Sequence, residues 1–265
     1  MLNLTYSLQG CRIRLRIPEK RVFVPNFVGL FNATQIRPRP GETVADVGTG
    51  AGLHAILCAK LGARQVFGID VSADAVRAAR RNARLNGVSD RCRFLRGSFE
   101  DQLPRLPRRP DLIISTLPST PGESRLMREP AMRAAPLVSR FLNGGRGGAE
   151  LSIALVDAAR RCLAPGGRLH LHLVAWSDSS STLAALRTCG FQMRPLARAD
   201  IPSWGQRCNA VTALLERARG CPWTVRYEEL PRRRGCGVRV VEARLGRPSR
   251  AGAPRTAEVV VEVSP

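Results

Sequence analysis

The sequence predicts an α/β chain: a doubly wound, mostly parallel sheet of seven strands with an antiparallel edge strand. Three observations carry this. Strand-like and helix-like segments alternate over residues 41–200, as a parallel sheet with right-handed crossovers requires. Leu112–Ser115 (LIIS) is a short apolar run of the kind that suits a strand buried on both faces. The candidate helices stop at glycine-bearing turns, Asn86-Gly87, Pro165-Gly166-Gly167 and Gly190. Together they describe a Rossmann-like core.

Taken in order, Thr43–Val47 is a short β-prone run that leads into a glycine-rich turn, and residues 53–61 follow as a helix. Residues 65–71 (QVFGIDV) form the second strand and 73–86 the second helix. In that helix Ala75, Val76, Ala79, Ala83 and Leu85 keep near-helical spacing, with arginines mostly between them. Residues 93–95 and Leu112–Ser115 are the third and fourth strands. A helix over 151–163, a strand over 168–175, a helix over 182–189 and a strand over 191–196 complete the alternation. Residues 1–40 read as an N-terminal β-prone segment serving as lid and substrate contact, and 201–265 as a C-terminal extension completing the sheet. In that extension 230–234 and 246–254 read as loops, while 238–243 and 257–263 read as strands, either of which suits an antiparallel edge.

Composition excludes several classes. Of 265 residues 44% are hydrophobic and 24% charged, which is not a disordered chain. No apolar run approaches the length of a membrane-crossing helix. Met1 to Gly10 lacks the basic start and apolar stretch of a secretory leader, so a cytoplasmic protein is expected. None of the eight cysteines forms a C-x-x-C pair, so paired zinc ligands and dithiol redox chemistry are not expected, nor is any other metal. Cys58, Cys162 and Cys189 read as small core residues. Of the three histidines, His170 and His172 alternate with leucine in a strand and read as structural. The net charge is +21, and all but two of the 42 basic residues (Lys20 and Lys60) are arginine. The charge is spread along the chain. It fits either an acidic partner or RNA, or an arginine-biased composition with ordinary solvated faces.

The sharpest local signal is Asp46-Val-Gly48-Thr49-Gly50-Ala-Gly52, between a strand and a helix. Glycines there let the backbone turn tightly and approach a ligand, and the helix start offers N–H groups. Asp70 closes the second strand, where a carboxylate accepts both hydroxyls of a ribose. Two nucleotide classes compete. Gly50 to Ala55 also reads as G-x-G-x-x-A, a dinucleotide fingerprint. Against it, Asp46 precedes the first glycine by two positions, where a carboxylate suits a positively charged amino-acid tail better than a pyrophosphate.

VADVGTGAG, FGIDVSADAVRAARRNARLNGV, DLIIS and LAPGGRL, in this order, resemble a class I S-adenosylmethionine-dependent methyltransferase. Within that superfamily the chain looks most like the HemK-type, small-domain branch, which includes the glutamine methyltransferases of release factors. The likeness covers about residues 22–198, including Val22 to Pro25 ahead of the core and the glycine-rich stretch from Gly144 to Gly148. It implies S-adenosyl-L-methionine as cofactor. Asp46 would hold the methionine ammonium, directly or through water. Gly48, Thr49, Gly50 and Gly52 would pack under the methionine and ribose. Asp70 would take the ribose hydroxyls, Val71 would stack near the adenine, and Ser98 and Phe99 would flank it. Many relatives carry Asp where this chain has Ser98.

The departure lies after the fourth strand. HemK-type enzymes and adenine-N6 methyltransferases place Asn-Pro-Pro-Tyr there to grip an NH2 group; this chain reads Thr116-Leu117-Pro118-Ser119. Thr116, Pro118 and Ser119 are expected to line the acceptor and catalytic pocket. Residues 21–31 would form a lid, with Asn26 and Phe27 touching the acceptor. The expected activity is methyl transfer to a nucleophilic N or O of a protein side chain or small molecule. A cofactor-binding, non-catalytic scaffold and an RNA methyltransferase are the alternatives.

Overall fold

The computed structural model describes residues 1–18, 21–128, 141–200, 237–245 and 259–264. In chain order the elements are β1 (Leu2–Leu8), β2 (Cys11–Ile17), α1 (Phe27–Gln35), β3 (Thr43–Val47), α2 (Leu53–Lys60), β4 (Gln65–Asp70), α3 (Ala73–Leu85) and β5 (Cys92–Arg96). There follow α4 (Phe99–Gln102), β6 (Leu112–Ser115), α5 (Arg125–Arg128), α6 (Glu150–Cys162), β7 (Arg168–Val174), α7 (Ser179–Thr188), β8 (Phe191–Asp200), β9 (Gly237–Leu245) and β10 (Val259–Ser264). The loops expected at 230–234 and 246–254, and Cys208, Cys221 and Cys236, lie outside the described residues.

Seven strands form the main sheet in the order β5-β4-β3-β6-β7-β9-β8. The first five are parallel, and β9 runs antiparallel to both β7 and β8. The antiparallel strand thus sits one place in from the edge, and β8 is the edge itself. The burial of β9 explains its position. Val238 and Val240 on one face and Val241 and Ala243 on the other are all buried, which an interior strand satisfies. Its one acid, Glu242, is buried with Arg168: Arg168 Nε lies 3.1 Å from Glu242, while its other nitrogens hold Glu42 and the Arg37 carbonyl.

Residues 1–17 are a hairpin, as their β-prone composition suggests, turned at Gln9-Gly10 with both residues at positive φ. In β2, Ile13, Leu15 and Ile17 are buried and Arg12, Arg14 and Arg16 are exposed, the period-two alternation of a one-sided strand. β10 pairs with β1 to make this a separate three-stranded sheet. Its apolar side shares a core with α2 and α3 on one face of the main sheet; α6 and α7 cover the other face. The free edge of β2 is sealed by two side chains of α3 and its C-cap: Asn82 accepts from Arg16 N, while Asn86 accepts from Arg14 N and donates back to Arg14 O.

The strand order positions the site. The chain leaves β3 for β4 and β5, then crosses back to β6 on the other side of β3. At such a switch point the loops leaving two adjacent carboxyl ends diverge and open a crevice. Cys58, Cys92 and Cys162 are buried free thiols, and burial pushes the Cys92 thiol up to about 12, which keeps it protonated.

Candidate active site

A cavity of about 530 Å³ occupies this crevice. One half is built by the turns after β3, β4 and β5, and the other by the loop after β6, the start of α1 and residues 141–143.

The glycine turn works through backbone conformation. Gly48, Gly50 and Gly52 all have positive φ (72°, 53° and 90°). Only Gly48 and Gly50 line the cavity. A Cβ on Gly50 would meet nothing within 4 Å, so this position faces open space that a ligand can fill. Gly52, expected under the cofactor, serves helix packing instead. A Cβ there would stand 3.1 Å from Ala79 Cβ and 3.2 Å from its Cα, so its absence lets α2 pack against α3.

Five N–H groups in and just after the turn are already committed. Gly48 N and Thr49 N donate to Ile69 O, Gly50 N to Asp70 Oδ2, Gly52 N to Thr49 O and Ala55 N to Asp46 Oδ2. A pyrophosphate needs such donors free and would sit beside the Asp70 carboxylate, which weighs against the dinucleotide reading. Asp46, expected to reach the methionine ammonium directly or through water, is fully buried behind the turn and does not itself line the cavity. Its Oδ2 accepts from Thr49 Oγ1 at 2.6 Å; its Oδ1 has no hydrogen-bond partner. Burial pushes this carboxyl up despite the Thr49 and Ala55 bonds.

Asp70 lies at the cavity wall, its carboxylate oriented by N–H bonds from Gly50 and Ser72 (2.9 and 2.8 Å). Val71 beside it is 53% exposed and, with Met1, is one of two exposed large apolar side chains among the described residues. Ser98 caps α4 through Asp101 and lines the cavity with Phe99. A cradle open above Gly50, an oriented carboxylate and the uncovered aliphatic side chain of Val71 next to it fit a ribose and a planar base.

In the other half, Thr116, Pro118 and Ser119, which follow β6, line the cavity. Asn26 also lines it, while its Oδ1 caps α1 by accepting from Gly29 N at 3.1 Å. Phe27 does not: it is buried, only 3% exposed, on the first turn of α1. The segment expected as a lid is thus partly this helix, and its cavity residues include Phe23, Asn26, Val28 and Gly29. Gly144 and Gly148 hold the β6 loop by close backbone approach, since a Cβ on Gly144 would lie 2.6 Å from Pro118 O.

Four polar residues not expected at the site sit at its floor. His54 Nε2 is 2.9 Å from Gly29 O, and its Nδ1 is 3.3 Å from Thr116 Oγ1. Asn32, fully buried, donates to Thr116 Oγ1 and Ser115 O, and His170 Nε2 lies 2.8 Å from its Oδ1. His172 lines the cavity, with Nδ1 3.4 Å from Ser115 O. Burial pushes His170 down to about 3 and His172 down to about 4, so both are neutral at pH 7. Their alternation with leucine signalled a strand, but the convergence on β6 depends on strands distant in sequence.

The lining also has a charge character. Among the described residues it contains Asp70 and Glu100 but no Arg or Lys, in a chain where 42 of 265 residues are basic.

A doubly wound sheet with a glycine turn after β3 and a carboxylate at the end of β4 is the arrangement shared by class I S-adenosylmethionine-dependent methyltransferases, and the chain is similar to members of that class. S-Adenosylmethionine is the methyl donor of the class. The family model described as ribosomal protein L11 methyltransferase (PrmA) matches residues 31–116. The chain is 33% identical over 166 residues to the ribosomal protein L11 methyltransferase of Thermus thermophilus, covering 63% of this chain and 51% of that protein. It is 37% identical over 151 residues to the release factor glutamine methyltransferase of Deinococcus radiodurans, covering 56% and 51%. It thus spans about half the length of each. The tRNA m1G37 methyltransferase of Methanocaldococcus jannaschii has the same fold, with a TM-score of 0.54 at 13% identity over 89% of this chain and 55% of that one. So does the precorrin-6y C5,15-methyltransferase of Geobacter metallireducens, with a TM-score of 0.51 at 13% identity, covering 87% and 93%. No helix among the described residues is long and apolar enough to cross a membrane.

Proposed function

We propose that the chain is an active S-adenosylmethionine-dependent methyltransferase whose acceptor is a primary amine on a protein. The observation that carries this is the cavity lining: among the described residues it holds two carboxylates and no Arg or Lys, in an arginine-rich chain. Such a lining favours cations, and both a sulfonium donor and an ammonium acceptor are cationic. The acceptor half adds Phe23 and Phe141, with ring centroids 5.8 Å apart, and Trp176. Aromatic faces attract an alkylammonium and shelter its stem. A planar amide instead needs the Asn and Tyr clamp, and here those positions hold Thr116 and Ser119. The names of the relatives, which act on ribosomal protein L11 or a release factor, favour a protein of the translation apparatus as partner.

Gly48, Thr49 and Gly50 would lie under the methionine and ribose, Asp70 would hold the ribose hydroxyls, and Val71, Ser98 and Phe99 would surround the adenine. Asp46 would act on the methionine ammonium only through an intervening group. When bound, the donor supplies an electrophilic methyl; the chain's work is alignment and exclusion of water.

The test supplies methyl-labelled S-adenosylmethionine to the full chain with two peptides that differ only in a central lysine or glutamine. Label on the lysine peptide is expected. Label on glutamine alone overturns the amine reading, and cofactor binding by calorimetry without transfer to peptides, ribosomal proteins or RNA returns the scaffold reading.

A further inference from the structure

The polar floor of the cavity has a direction. Gly29 O can only accept, so His54 Nε2 carries the hydrogen and, in the neutral ring, Nδ1 accepts. Thr116 Oγ1 already accepts from Asn32, so its own hydrogen is available to His54 Nδ1. Asn32 Oδ1 accepts from His170 Nε2. The bonds therefore run one way: His170 to Asn32, Asn32 to Thr116, Thr116 to His54, His54 to Gly29. Below the chain, the unpartnered Oδ1 of Asp46 faces His54 Nδ1 at 3.9 Å. A buried carboxylate oxygen without a donor is costly unless a positive charge visits it.

We propose that Thr116 and His54 form a proton-accepting site, in which the methyl acceptor gives its proton to Thr116 Oγ1 while the Thr116 hydrogen passes to His54 Nδ1. This rests on the amine-acceptor reading. An ammonium has no lone pair, so one proton must leave before the nitrogen can take a methyl group. In the relay one N–H bond breaks on the acceptor and one O–H forms on Thr116, while the original O–H breaks on Thr116 and one N–H forms on His54. In the transfer itself an N–C bond replaces a C–S bond, whose electron pair stays on sulfur. The proton remains on the imidazolium, between the Asp46 carboxylate and the Gly29 carbonyl, until the product leaves.

The other charged or titratable groups facing this ring are His170 and His172 from β7, with Asp70 acting on Asp46 from β4. Both β7 histidines are neutral, so neither competes for the proton. Thr116 would be the catalytic residue and His54 a positioning residue that acts through it. A hydroxyl backed by a histidine and a carboxylate does here what the missing amide clamp does for an uncharged nitrogen.

Two measurements test this. The chain has three histidines, so long-range 1H–15N spectra of the whole protein resolve each ring. Without donor or acceptor, His54 should show the Nε2–H tautomer, and its Nδ1 signal should move in Thr116→Val and return in Thr116→Ser. The second is the pH profile of transfer to the lysine peptide. The wild-type rate should fall along an acid limb, because a ring that already carries a proton on Nδ1 cannot accept another. His54→Gln and Thr116→Val should each lose roughly 100-fold, His54→Gln should also lose that acid limb, and Thr116→Ser should keep both the rate and the limb. An Nδ1–H tautomer, or a His54→Gln protein with wild-type rate and profile, overturns the relay. If the spectra agree and the lysine peptide is never methylated, the amine reading fails, and with it the proton's source, while the His54–Thr116 pair stands.

Discussion

Gly50 and Gly52 stand two residues apart in one turn, and the structure gives them opposite burdens. In Gly52→Ala the new Cβ has φ +90° and lies 3.1–3.2 Å from the Cβ and Cα of Ala79. The left-handed backbone costs about 1–2 kcal/mol. The contact with Ala79 is overpacking against helix backbone that cannot swing aside, so the total loss should be about 2–4 kcal/mol. In Gly50→Ala the φ of +53° lies within the small left-handed region, and the methyl enters open cavity. Stability should fall by only about 1 kcal/mol. The ligand, not the fold, meets that methyl. Urea unfolding with and without S-adenosylmethionine separates the two effects. At 100 times its Kd a ligand stabilises the wild type by about 2.7 kcal/mol. Gly52→Ala should start lower and keep most of that gain. Gly50→Ala should start near wild type and, at the same concentration, keep less than half. Equal stability of the two variants, or a full gain in Gly50→Ala, would refute the division of labour.

Asp70→Ala should weaken S-adenosylmethionine binding at least tenfold in calorimetry and cost about 1–2 kcal/mol of stability through the bonds lost by Gly50 and Ser72 N–H; unchanged affinity would remove Asp70 from the ribose. Burial raises the Glu42 carboxyl, but its bonds to Arg168 and Arg39 outweigh this and hold it below its ordinary 4.5. A depressed folded value stabilises above the ordinary one and is lost as pH falls through it, so urea stability should drop as pH falls below about 4.5. Arg168→Met should blunt that dependence and cost about 3–5 kcal/mol at pH 7, because Glu42 stays buried without the guanidinium that holds it and Glu242 is left with only Arg194 and Arg244. Gly144→Ala, whose Cβ would lie 2.6 Å from Pro118 O, should displace the Thr116–Ser119 loop and raise KM for the lysine peptide, with cofactor affinity nearly unchanged.

By itself the sequence determined the elements whose cause is local. The alternation of strand and helix, the stop at Asn86-Gly87, the glycine turn after β3 and the carboxylate at the end of β4 each follow from periodicity, turn chemistry or spacing between near neighbours, and the structure contains all of them. What only the tertiary structure decided depends on which distant segments meet. β9 and 257–263 both read as edge strands, yet β9 enters the sheet between β7 and β8 and β10 pairs with the N-terminal hairpin. Valine-rich alternation states that a strand has a buried face, not which strand lies beside it. Gly52 was indistinguishable from Gly50 by spacing, because the neighbour that separates them, Ala79, lies on another helix. Phe27 and Asn26 are adjacent in sequence, but one turn of α1 sends only Asn26 to the cavity. The polar floor was the least legible feature. His54, Thr116, Asn32 and His170 come from α2, the β6 loop, α1 and β7, up to 138 residues apart. No local pattern marks them, since hydrogen bonds between separate elements form only after packing has set the distances.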